Sequence, residues 1–232
     1  IGAWFLLRLR PAEVSAATAD YRHGEWGRAL PPFILLVAAS TLNAQIGILA
    51  LGWLSTDEQV AALRVAQNGA MMVALSLTVV NQVIGPQITR AYRDNDQARL
   101  QQLSRQSARG ALVVALPIAL PLIFLGAPIL DLVFGATYRD SPSLPLAILA
   151  IGQLINVAFG SVGMFLTMSG YERDTLIGQT LALVVNAIVA ALLIPPYGAI
   201  GAALAVAIGL ATWNLVLGIL FIKRLGLRPS AL

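Results

Sequence analysis

The side chains able to do chemistry in this 232-residue chain are few, and most of them are amides. Read at 100° per residue, Arg64, Asn68, Thr78, Gln82 and Thr89 fall within about ±40° of one helical line. Gln153, Gly160, Met164 and Thr167 share a second face, with Asn156 at its edge, and Thr175, Gln179 and Asn186 align on a third. Asn43 and Gln45 belong to a fourth segment. Carboxamides donate and accept neutral hydrogen bonds, and a buried arginine adds a planar fork of donors that suits phosphate. The hydrolytic and redox options fail on inventory. Cysteine is absent, so disulfides and thiolate metal sites are excluded. A lone His23 in a polar connector builds no metal cluster. No G-x-S-x-G elbow, Walker loop or dinucleotide fingerprint occurs. The sequence therefore predicts no catalytic residue, no metal and no cofactor, and leaves any transport to ion or substrate gradients.

The elements that must position these groups are apolar helices. Only 11% of residues are charged and the mean hydropathy is +0.79, whereas soluble domains carry roughly 25% charged residues. Uncharged stretches cover 29–56, 65–89, 110–130, 141–171 and 175–222. A membrane-crossing helix takes about 20 apolar residues. The first four stretches supply one span each, and the last supplies two, divided near Pro195, Pro196, Gly198 and Gly201. The fold class this predicts is an all-α polytopic membrane protein with six transmembrane helices, at about 30–54, 58–90, 103–134, 142–168, 174–194 and 199–222. Asp94 or Asp96 is the expected N-cap where the polar connector 91–109 enters the third span. Pro117, Pro121 and Pro128 favour bends within that span.

The pI near 10 could suggest nucleic acid, but the distribution of charge points to topology. Arg8, Arg10, Arg22, Arg28, Arg90, Arg93, Arg99, Arg105, Arg109, Arg173, Lys223, Arg224 and Arg228 fall in segments on one side of such a six-span arrangement. The other two basic residues are Arg139, in an opposite loop, and Arg64, early in the second span. By the positive-inside rule both ends of the segment face the cytoplasm, with the basic side against anionic lipid. Residues 1–10 read as the end of a preceding transmembrane helix, 11–28 as a cytoplasmic connector, 29–224 as the six-helix lobe and 225–232 as a cytoplasmic tail. The chain is thus expected to be a piece of a longer protein.

Each buried amide has two readings. It can bond to a neighbouring helix, the more common role for any single one, or it can line a hydrated cavity. Arg64 can extend its head back to the interface or hold an anion. Asp131 fits an interfacial position better than an ion-coupling site, for which it is a weak candidate. The substrate-cavity candidates are Arg64, Asn68, Gln82, Asn43, Gln45, Gln153, Asn156, Gln179 and Asn186.

Several strings resemble the polysaccharide-biosynthesis flippases of the multidrug/oligosaccharidyl-lipid/polysaccharide exporter superfamily. They are ALPPF (29–33), LRVAQNGA (63–70), VVNQVIGPQITR (79–90), FGATY (134–138), LAILAIGQLINVAFGSVGMFLTMSGYERDTL (146–176) and IPPYGAIGAALA (194–205). Their order and spacing together make the resemblance specific, over nearly the whole chain from about residue 29. It implies one six-helix lobe of a two-lobed carrier, the C-terminal one, with the N-terminal lobe as its partner. The implied activity is translocation, by alternating access, of a polyprenyl-pyrophosphate-linked oligosaccharide across the bacterial inner membrane for lipopolysaccharide or exopolysaccharide. Family cavities are commonly cationic, which favours Arg64 as a pyrophosphate or acidic-sugar contact. Membrane lipids and a polysaccharide polymerase or chain-length machinery are the further implied partners, and nucleic acid is not among them. Two alternatives remain. One is a cation-coupled multidrug exporter of the same superfamily, for which Asp131 is the only membrane carboxylate on offer. The other is a non-transporting subunit of a polysaccharide-assembly complex, which would tolerate loss of the polar stripes.

Overall fold

The computed structural model describes residues 23–134 and 143–227. Its elements, all helical among the described residues, are α1 (His23–Leu54), α2 (Asp57–Arg93), α3 (Gln97–Phe124), α4 (Gly126–Phe134), α5 (Leu144–Phe159), α6 (Val162–Met168) and α7 (Glu172–Leu225). The chain forms two compact units, Ile1–Pro31 and Pro32–Leu232. The described part of the first is the helical stretch 23–31, and the bundle is the second. Helix thus begins at His23, inside the segment expected to be a connector up to residue 28. The expected end of a preceding helix (1–10), the connector to residue 22, Arg139, most of the FGATY turn and the tail from residue 228 lie outside the described residues.

Among the described residues four helices, α1, α2, α3 and α7, are long and apolar enough to cross a membrane, or five if the bent α5–α6 pair counts as one span. The chain is a multi-pass membrane protein, and α7 shows why the count is not read from helix number alone. Its 54 residues would reach about 81 Å if straight, against a hydrocarbon core of about 30 Å. It is not straight: Gly198, at φ +53° and ψ −125°, breaks it. Arg224 is paired with Asp174, Gly178 lies against Leu217, Gly209 against Asn186, and Gly201 against the carbonyl of Leu193. The two limbs therefore run antiparallel, and the Pro195–Gly198 segment is their turn. That turn is pinned from α2, because Gln59 Oε1 accepts a hydrogen bond from Ala199 N at 2.9 Å.

Two expected spans are interrupted. The third, expected over 103–134 with bends at its prolines, ends as α3 at Phe124, and α4 starts at Gly126. Pro117 and Pro121 stand in the last two turns before the break, where each proline removes a backbone donor. The fourth is broken at Gly160–Ser161, so that α5 and α6 meet at 47°. Gly160 has φ +72°, and a Cβ there would lie 2.9 Å from the Cβ of Ala108 on α3. Glycine meets both the left-handed backbone and the close approach. At the opposite junction Asp96 caps α3, its Oδ1 accepting from Arg99 N at 2.8 Å.

The core follows from helical spacing. On α2 the buried residues Leu63, Ala66, Ala70, Val73, Leu77, Ile84, Ile88 and Ala91 recur at three and four, a stripe that faces neighbouring helices. On α3 small side chains, Ser104, Ala108, Ala111, Ala115 and Ala119, let the backbones approach. Apolar side chains left exposed, among them Val79, Val83, Val113, Ile188 and Ile219, suit a lipid solvent rather than water. Packing also sorts the charge. Ile88, Ala91, Leu100, Phe165, Phe221 and Leu225 share one cluster, which gathers Arg90, Arg93, Arg99, Arg173, Lys223 and Arg224 at one end of the bundle. Asp57 and Glu58 begin α2 at the other.

Candidate functional site

A cleft runs between α1 and the packed face of α2, α5, α6 and α7, in two compartments. The first, of about 480 Å³, is lined by Asn43 and Gln45 from α1 and by Arg64, Gln67 and Asn68 from α2. Gln153 and Asn156 from α5, and Gln179 and Trp213 from the two limbs of α7, complete its polar wall. Arg64 stands seven residues into α2, about 10 Å from its start, and its exposed side chain is the one charged group on this wall. The second compartment, of about 460 Å³, extends toward the basic end between Thr41, Asn81, Ser161, Met164 and Thr175. Ser40, Asn156, Gln179 and Trp213 border both.

Seven of the nine cavity candidates from the sequence, Asn43, Gln45, Arg64, Asn68, Gln153, Asn156 and Gln179, are thus brought to one compartment. The other two are elsewhere. Asn186 is buried behind the wall, where its Nδ2 donates to Asn43 Oδ1 at 2.8 Å and to the Asn43 carbonyl at 3.1 Å. It joins the first limb of α7 to α1 and is a helix-to-helix bond, one of the two roles open to it. Gln82 is exposed and lines neither compartment. Its neighbour Asn81 takes the inward place: the α2 stripe passes from Leu77 to Ile84, and Asn81 is the residue at helical spacing between them. Asp131, half-buried on α4, also lines neither compartment.

The amides divide by what they touch. Asn214, fully buried, donates from Nδ2 to Asn156 Oδ1 at 3.0 Å and to the Leu210 carbonyl at 2.8 Å. Asn156 Nδ2 in turn reaches Gln153 Oε1 at 3.4 Å, so this chain of amides ties α5 to the second limb of α7. Gln179 Nε2 donates to the Ala39 carbonyl at 3.5 Å and ties α7 to α1. Such bonds hold helices together while also forming the cleft wall. Sequence reasoning missed Asn81, Ser161, Asn214 and Trp213. The three-and-four spacing on α2 could have found Asn81. No local signal marks Trp213, whose place depends on how the limbs of α7 fold together.

At the basic end of the bundle, outside the lining of either compartment, lies an ion pair. Asp174, buried, takes both the Nε and the Nη2 of Arg224, and the guanidinium carbon sits 5.5 Å from the centroid of the Tyr171 ring. A buried carboxylate is costly unless paired; the fork of Arg224 supplies that pairing, and the Tyr171 ring in turn stabilises the guanidinium.

Among known proteins, the profile of the family described as polysaccharide biosynthesis protein matches residues 33–143. The capsular polysaccharide biosynthesis protein CapF of Staphylococcus aureus is 26% identical over 129 residues, 56% of this chain and 32% of that protein. The "probable low-salt glycan biosynthesis flippase Agl15" of Haloferax volcanii is 28% identical over 165 residues, 69% of this chain and 34% of that protein. The matched chain spans about a third of the length of these curated relatives. No solved structure matches.

Proposed function

From the premise that the chain belongs to the polysaccharide biosynthesis flippase family, we propose that it forms part of a carrier for a lipid-linked oligosaccharide. The cargo is a polyprenyl-pyrophosphate glycan, moved across the bacterial inner membrane by alternating access for lipopolysaccharide or exopolysaccharide synthesis. The observation that carries this reading is the cleft wall itself. Arg64 stands alone as a cation among Asn43, Gln45, Asn68 and Gln153, in a bundle whose outer surface is apolar. An ionisable side chain within a membrane helix faces the bundle or a watery cavity. Here the fork of Arg64 offers an anion a partner while the amides replace water around sugar hydroxyls. The polyprenyl tail meanwhile stays in lipid.

We read each limb of α7 and the bent α5–α6 pair as spans, six in all, with both ends of the bundle on the basic side. That side is the cytoplasm by the positive-inside rule. The six helices form one lobe, and a second lobe of the same protein completes the path. Neither compartment of the cleft is lined by a carboxylate among the described residues, which disfavours a cation-coupled drug exporter. Deleting the gene of the full-length protein should diminish surface polysaccharide and accumulate its lipid-linked precursor in the membrane, and a plasmid copy should restore both. Diminished polysaccharide without precursor accumulation would place the defect in assembly rather than translocation.

A further inference from the structure

Resting on the reading of the cleft as a glycan path, we propose that its basic-end compartment is a subsite for one uncharged sugar residue. Trp213 supplies the platform for the ring, and Asn81 and Ser161 receive its hydroxyls.

Three features of the compartment lead there. The first is its lack of charge: among the described residues, none that lines it carries one. An ion drawn into this space would lose hydration without a counter-charge, so the occupant is neutral. The second is a pair of oxygens with nothing to bond. Asn81 Oδ1 and Ser161 Oγ are buried and have no hydrogen-bond partner, and Ser161 retains only 5% of its surface. A buried polar atom left unpaired bears its full desolvation cost. Three of the neighbouring polar groups are already committed. Asn156 is bonded to Asn214 and Gln153, Gln179 donates to Ala39, and the Thr175 hydroxyl bonds the Tyr171 carbonyl at 3.3 Å. Asn81 Oδ1 only accepts, which suits an O–H donor and repels a phosphate oxygen.

The third feature is the indole. A Cβ on Gly163 would lie 3.1 Å from Trp213 Cζ2, and one on Gly178 would lie 3.6 Å from Cε3. Gly163 on α6 leaves room for the edge of the ring, and Gly178 on the first limb of α7 is in ordinary contact with it, its nearest neighbour being Leu217. The indole is thus packed between α6 and the first limb of α7, with part of its surface bordering both compartments. A pyranose has an apolar C–H face and a rim of hydroxyls, which matches an apolar ring beside unpaired oxygens. The volume of about 460 Å³ falls within the roughly 300–1,000 Å³ of small-ligand pockets. A glycan lying across Trp213 would keep its neutral ring here and present an anionic group to the Arg64 compartment.

The test uses purified full-length protein in which Trp213 is the only tryptophan left, the others being replaced by phenylalanine. N,N′-diacetylchitobiose is the probe. It should change Trp213 emission saturably, and Asn81→Leu and Ser161→Ala should each raise the midpoint about threefold, or about tenfold together. Gln82→Leu, outside the cavities, should leave the midpoint unchanged. No saturable response, or the same midpoint in the double variant, overturns the subsite. An unresponsive Trp213 together with lipid-linked precursor accumulating in the deletion strain refutes the subsite alone. A response that depends on Asn81 without such accumulation refutes the transport reading instead.

Discussion

The two compartments of the cleft share a wall and differ in chemistry. The one nearer the start of α2 holds Arg64 among amides, whereas the one at the basic end is uncharged and carries two unpaired oxygens. The difference shows that polarity inside a membrane bundle is not one property. Some amides are consumed in joining helices, as Asn186 is to Asn43 and Asn214 to Asn156. Others face space that a ligand could enter. Arg64 and Asn81 lie on the same helix, yet only the first offers charge. A glycan with an anionic head and neutral rings is the kind of cargo that such a division would fit.

That comparison can be broken at the wall. The largest structural effect is expected from Gly160→Val, which puts a branched side chain at φ +72° against Ala108. Backbone strain of about 1–3 kcal/mol is compounded by the clash, and thermal unfolding of the purified protein should show a large loss of Tm. The damage should centre on the basic-end compartment, because Gly160 sets the position of Ser161. Next comes Asn214→Leu, which strips Asn156 Oδ1 of its partner and should cost about 1–3 kcal/mol. The paired change Asn156→Leu with Asn214→Leu should recover part of that loss, as a double-mutant cycle would reveal. The smallest effect belongs to Gln82→Leu, within about 0.5 kcal/mol and with normal glycan output. A strong export defect in that variant would place the cargo on the exposed face of α2 rather than in the cleft. Orientation is open to labelling, since the chain has no cysteine of its own. A membrane-impermeant thiol reagent should reach a cysteine at Thr56 from outside intact cells and miss one at Asn95. The reverse pattern would invert the bundle.

The helices and the amide faces were legible from local rules. Uncharged stretches located α1, α2, α3, the α5–α6 pair and both limbs of α7, and IPPYGAIG marked the turn at Gly198. The interruptions were not. Prolines at 117 and 121 announced a bend, but the break at Leu125 depends on how the chain is held afterwards. The break at Gly160 answers to Ala108, a residue 52 positions earlier. At the site, helical phase alone picked Gln82 together with Arg64 and Asn68, because all three share one line. The buried stripe of α2 sets a different inward direction lower down the helix, and Asn81 occupies it. Trp213 and Asn214 acquire their roles only when the limbs of α7 pack together, a contact that no single-helix pattern contains.

The central claim is that this cleft carries an anionic, sugar-bearing cargo past Arg64. The most direct measurement is the membrane content of lipid-linked oligosaccharide in cells whose full-length protein carries Arg64→Ala, with protein abundance quantified in the same membranes. Precursor should accumulate by at least about tenfold, with unchanged abundance and partial restoration by Arg64→Lys. Normal precursor levels and normal surface polysaccharide in the alanine variant would contradict the claim.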